Sequence, residues 1–214
     1  MKKLEKSSAE PRAYFSAVGR LRMLAGDPSL DFANTLHWRG RRLVDFLPDY
    51  QALVAWSVPA GLLSEQEMAM LIDPAPALRS EAEATHAAAI ALRSAWRDCL
   101  DVRTGDLMLD GRSRTDGVLE PLLVSALADP RLLMSAVDAH RAHIVRLPVA
   151  RIALAIASLT LIPGDRQIGR CEGDPCGGFF LNTSRSKPRR WCSMESCGNR
   201  AKARGFRSRM IAET

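Results

Sequence analysis

Four of the five cysteines stand in two evenly spaced pairs, Cys171-x4-Cys176 and Cys192-x4-Cys197, with fifteen residues between them. Thiolates are soft ligands, and four of them carried on two tight turns can surround one tetrahedral zinc ion. Each pair brings two sulfurs to one side of its turn, and the insert folds back so that the pairs meet. No histidine follows His143, so cysteines must supply all four ligands. Two disulfides are the alternative pairing, and a redox switch that releases the metal on oxidation is a further role. Cys99 lies alone on the apolar side of a helical stretch and reads as core packing.

The same segment holds the excess charge. Residues 170–214 carry ten of the 30 Lys and Arg residues and four of the 24 acids, which accounts for the whole net charge of +6. The rest of the chain is neutral. Arginine, which outnumbers lysine eight to two in this segment, grips phosphates and guanine edges with its planar fork. Arg185, Lys187, Arg189, Arg190, Arg200, Lys202, Arg204, Arg207 and Arg209 are therefore the expected nucleic-acid contacts, with duplex DNA read by a helix in the major groove. RNA stays open, since Trp191 or Phe180 could stack on a base. A solvated face or a zinc-stabilised protein-interaction adaptor is the plainer reading. A homodimer would suit a DNA-binding chain.

The body offers less chemistry. Asp31, Asn34, Thr35, His37, Trp38 and Arg39 form its densest polar and aromatic cluster and could line a pocket for a small effector. The competing reading is that Asp31 and Asn34 cap or brace local backbone. His86, His140 and His143 show no metal pairing. No nucleophile–base arrangement, HExxH, GxGxxG or phosphate loop occurs, so an enzyme is not expected.

The elements that must hold these groups are mostly helical. Residues 1–13 read as a flexible tail and 26–42 as either a short strand or a helix starting near Ser29. Residues 47–58 read as a helix with Pro48 in its first turn. Ser64 and Glu67 form a capping box for a helix to about Ile72. Residues 78–103, rich in Ala, Leu, Glu and Arg, predict a long helix with Ala88, Leu92, Ala95, Cys99 and Leu100 inward. A helix is expected over 117–130, residues 131–147 fit strand or helix, and 148–162 is a buried helix packed on the long one. The run 152–162 is too short to span a bilayer, and the polar N-terminus is no secretory signal, so the chain is expected to be cytoplasmic with no membrane contact. Pro163-Gly164-Asp165 marks a turn and the boundary between a helical domain, 14–165, and a zinc module, 166–214.

Within that module, 177–183 predicts a strand, 184–188 a turn and 189–192 the return strand, a hairpin set between the cysteine pairs. Ser193 would cap a helix from about Met194 to Met210, with Ala203, Phe206 and Met210 as its apolar face and Arg200, Arg204 and Arg207 together on another. The fold class is thus a mainly α N-terminal domain plus a small α+β zinc module, treble-clef-like: knuckle, β-hairpin, knuckle, helix. Phe179, Phe180, Trp191 and Phe206 make only a minimal cluster, so zinc must staple the module.

The run RRWCSMESCGNRAKA, 189–203, closely resembles the CGNR zinc-finger family, whose name matches Cys197-Gly198-Asn199-Arg200. Family members look like bacterial transcription regulators that join this finger to an N-terminal ABATE domain associated with stress-induced regulation, whose opening is similar to LDFANT, 30–35. The resemblance implies zinc on Cys171, Cys176, Cys192 and Cys197. Asn182 departs from it, since relatives often carry an acid there. Gly198 is expected to let the chain pass close to the metal, Asn199 to fix the knuckle through a backbone group, and Arg200 either to brace hairpin carbonyls or to meet phosphate.

Overall fold

A computed structural model describes residues 23–39, 42–105, 116–129, 144–161, 167–184 and 187–212. The expected tail, the segment 131–143 with His140 and His143, the boundary turn 163–165 and Arg185 lie outside these residues.

The stretch that sequence left between strand and helix contains both. Helix α1 (Pro28–Ala33) starts where Asp27 accepts from Ser29 N at 2.9 Å and Pro28 needs no partner for its nitrogen. Strands β1 (Leu36–Arg39) and β2 (Arg42–Asp45) then form an antiparallel hairpin that pairs Trp38 with Leu43. Helix α2 (Tyr50–Ser57) is capped by Asp49, which accepts from Ala52 N at 2.8 Å. Pro48 therefore precedes the helix instead of opening it. Helix α3 (Glu65–Leu71) carries the expected capping box, and Glu67 also pairs with Arg151 at 2.6 Å.

The long helix α4 (Arg79–Arg103) buries Ala82, Thr85, Ala89, Leu92, Trp96 and Cys99, spaced three or four apart. Ala88 lies on its exposed side and Ala89 takes the inward place expected of it. Helices α5 (Asp116–Leu127) and α6 (Leu147–Leu161) pack against it and against each other. Leu30, Phe32, Trp56, Leu92, Trp96, Ile152 and Ile156 meet in one cluster. A side chain of this size contributes roughly 1.5–3 kcal/mol when fully buried. Trp96 satisfies its indole N–H on Ser29 O at 3.0 Å. A short 3-10 turn, Ile144–Arg146, extends α6 to an 18-residue apolar run, long enough by length and composition to cross a membrane. The expected run from residue 152 is only the second half of it and remains too short to span a bilayer by itself. Eight residues of α6 are nevertheless buried in the protein, as in the core helix of a soluble fold.

The C-terminal part has two antiparallel strands, β3 (Gln167–Arg170) and β4 (Phe179–Asn182), then a wide turn (Met194–Gly198) and helix α7 (Asn199–Ala212). The hairpin differs from expectation. Its first strand precedes Cys171, so the first cysteine pair sits in the hairpin loop, and 189–192 forms no strand. The physical reason is that both edges of β4 are already taken. One edge pairs with β3. Along the other, Leu181 N donates to Ala25 O at 2.6 Å, and Asn34 brackets Phe179, accepting from its N and donating to its O, both at 2.8 Å. Residues 189–192 instead anchor at points, through Glu172 N to Arg190 O at 3.0 Å and Arg189 N to Asn182 Oδ1 at 3.4 Å.

The expected aromatic cluster also divides. Phe180 and Trp191 pack around the cysteines, Phe179 and Leu181 enter the core of the body, and Phe206 is 60% exposed. The C-terminal part is therefore built into the helical body. Asp101 of α4 pairs with Arg170 of β3, and the guanidinium carbons of Arg97 and Arg170 lie 5.5 and 5.4 Å from the Phe179 ring centre.

Candidate metal centre and nucleic-acid interface

The loop between β3 and β4 folds because its backbone closes on itself. Cys171 N donates to Gly178 O at 2.8 Å, Cys176 N to Gly173 O, and Gly177 adopts φ +59°. This places Cys171 and Cys176 on one side. Ser193 opens the second turn by accepting from Ser196 N at 3.4 Å, which brings Cys197 back beside Cys192. All four Sγ atoms lie within 4.8 Å of one another, and Cys171, Cys176 and Cys197 are buried.

The spacing tests which chemistry fits. The Cys176–Cys192 and Cys192–Cys197 sulfur distances are both 3.7 Å. A disulfide requires about 2.05 Å. Four thiolates at about 2.3 Å from a central zinc lie about 3.8 Å apart along the edges of the tetrahedron. The donor set matches a metal clamp, and all four cysteines are free. Hydrogen bonds from Cys176 and Cys192 hold the Cys171 thiol far down, and contacts with Cys171 and Cys176 push Cys192 up.

Surrounding groups orient these ligands. Arg200 Nη2 donates to Cys197 Sγ at 3.0 Å, and that bond raises the Arg200 pKa. Arg200 thus reaches a ligand sulfur, which neither expectation for it named. Asn199 Nδ2 donates to Glu195 O at 3.1 Å and fixes the second turn. The glycine that lets the chain approach the centre is Gly173. A Cβ there would meet Cys197 Cβ at 2.9 Å and Cys171 Sγ at 3.3 Å. Gly198 is instead crowded by the Met194 sulfur and the Trp191 ring. The sequence signal for Gly173 is a glycine inside C-x4-C.

The expected nucleic-acid contacts fall into two sets. Four are engaged within the fold. Arg189 donates to Leu181 O at 2.5 Å and covers the Phe180 ring. Arg190 pairs with Glu172 at 2.5 Å over the Trp191 ring. Arg204 Nη1 donates to Asp174 O at 2.7 Å, and Arg200 meets Cys197. Lys187, Lys202, Arg207 and Arg209 are exposed, and among the described residues they make no ion pair. On the expected common face Arg200 and Arg204 are thus engaged while Arg207 is exposed, and the expected apolar face of α7 is open to solvent.

The residues considered for an effector pocket also divide. Asp31 is buried and accepts from Leu24 N and Ala25 N, both at 3.1 Å. Burial pushes its carboxyl up to about 6. Thr35 donates to Phe32 O at 2.7 Å and accepts from Arg93 at 3.0 Å. Asn34 clips β4. These three brace backbone. His37 and Trp38 instead line a cleft of about 310 Å³ between β1 and the Cys171–Gly178 loop, with Arg97 and Arg170 on its walls. His37 Nε2 is 3.9 Å from Cys176 Sγ. Of Arg39 only the backbone is described. His86 bonds Leu47 O at 2.9 Å, and Cys99 packs in the core.

Two family models match the chain. One, described as CGNR zinc finger, covers residues 167–210, and the other, ABATE, described as "Putative stress-induced transcription regulator", covers residues 26–161. No curated protein and no solved structure matches.

Proposed function

The chain belongs to the ABATE family, and from that premise we propose that it is a soluble, cytoplasmic transcription regulator that binds DNA through a zinc-clamped basic finger. It acts by binding and not by catalysis. The observation that carries this reading is the four-sulfur cluster, whose spacing suits zinc and whose ligand Cys197 begins the segment that presents the cations of α7. Bound zinc would supply roughly 10–16 kcal/mol of apparent binding energy, enough to hold a module this small. It has no catalytic part. Cys171, Cys176, Cys192 and Cys197 hold it, and Arg200 and Asn199 steady its second turn.

A small effector would act in the cleft beside His37 and Trp38, where it touches the body and the first cysteine turn together. The test of the main reading is a titration of purified, zinc-loaded protein with random duplex DNA across a salt series. Contact with about four to six phosphates gives a log affinity against log salt slope of roughly −4 to −5. Chelator abolishes the binding. Binding that is absent, or that ignores both salt and chelator, overturns the proposal.

A further inference from the structure

Helix α7 turns about 100° per residue. Arg200 and Arg204 therefore share the side that lies on the cysteine turns, where they meet Cys197 and Asp174. Lys202, Phe206, Arg209 and Met210 fall within an arc of about 100° on the opposite side. Phe206 is 60% and Met210 54% exposed. The helix contains no acidic residue, so this outer face carries a single sign of charge.

We propose that the outer face of α7 is the reading surface for duplex DNA, entering the major groove, and that the arginines on the cysteine turns are structural. This rests on the regulator reading above. Lys202 and Arg209 are seven residues apart, about 10 Å along the helix, close to the major groove's width of about 12 Å. They reach the phosphates at its rims while Phe206 and Met210 meet base edges, where an apolar side chain finds the thymine methyl. Charge selects this occupant. A second copy would place cation on cation, whereas a polyanion with apolar groups on its groove floor complements the face.

The test uses full-length, zinc-loaded protein and a mixed-sequence duplex, followed by fluorescence anisotropy across a salt series. Lys202→Gln and Arg209→Gln each make the salt slope shallower by about 0.9. Phe206→Ser weakens binding about fivefold or more with the slope unchanged. Arg190→Gln, whose guanidinium faces Glu172, leaves the slope unchanged. Equal zinc content and far-UV circular dichroism confirm that each variant is folded. If the wild type binds with a steep slope that Lys202→Gln and Arg209→Gln do not alter, this face is wrong and the regulator reading stands. If the wild type shows no salt-sensitive duplex binding, both fall. If the variants alter binding to anionic vesicles or single-stranded RNA and leave duplex binding untouched, the choice of partner is overturned.

Discussion

Replacing Asn34 with alanine tests whether the finger is fused to the body. The Asn34 amide makes two 2.8 Å hydrogen bonds to the backbone of Phe179, one in each direction. Alanine removes both and leaves a strand N–H and C=O without partners at a partly buried seam. An unsatisfied buried backbone group costs about 1–3 kcal/mol. Partial solvent access at this seam places the pair near the lower end, about 2–3 kcal/mol together. For a chain of this size each kcal/mol moves the melting temperature by about 2–4 °C. The expected loss is therefore about 4–12 °C, read by calorimetry on zinc-loaded full-length protein as one shifted transition. Two separate transitions, or a melt within about 1 °C of wild type, would refute the claim that this amide joins the two parts.

Further expectations follow from other contacts. Asp45→Ala strands the buried Arg93 guanidinium, which Asp45 grips at 2.6 and 2.7 Å, and should cost about 3–5 kcal/mol in urea unfolding. Asp31 is raised by burial from 3.8 to about 6. A carboxyl raised on folding favours the folded state fully below pH 4, and that contribution is lost as pH rises through 6. Asp31→Asn keeps an acceptor for Leu24 and Ala25, so it should stabilise the protein by up to about 3 kcal/mol at pH 7–8, with the gain vanishing near pH 4. Gly173→Ala should weaken zinc retention in a competitive chelator titration, because the new methyl meets two ligand side chains. Gly198→Ala should be tolerated, since its nearest obstacle is the half-exposed, flexible Met194.

The parts that sequence reveals are those set by short-range rules. The capping box at Ser64, the three-and-four spacing of α4 and the paired C-x4-C turns each need only a few neighbouring residues. What it does not reveal depends on partners far apart. Asn34 lies 145 residues from Phe179, and nothing in LDFANT announces an amide that completes a strand edge. For that reason 189–192 reads as a return strand: its local pattern fits, but the edge it needs is filled by Ala25 and Asn34. The arginines mislead in the same way. Composition counts them as one patch, whereas Glu172, Asp174, Leu181 and Cys197 engage four of them and only geometry separates these from the others.

Strand β4 belongs to the finger by its place in the chain and to the helical core by its side chains, since Phe179 and Leu181 join the cluster that holds Phe32, Trp56 and Ile152. Cutting between the two matched segments would leave a hole in one fragment and greasy surface on the other. Neither half is a portable cassette. Transplanting the finger alone onto another protein should yield an insoluble product, and whatever bends the body will be felt at the cysteine cluster through β4.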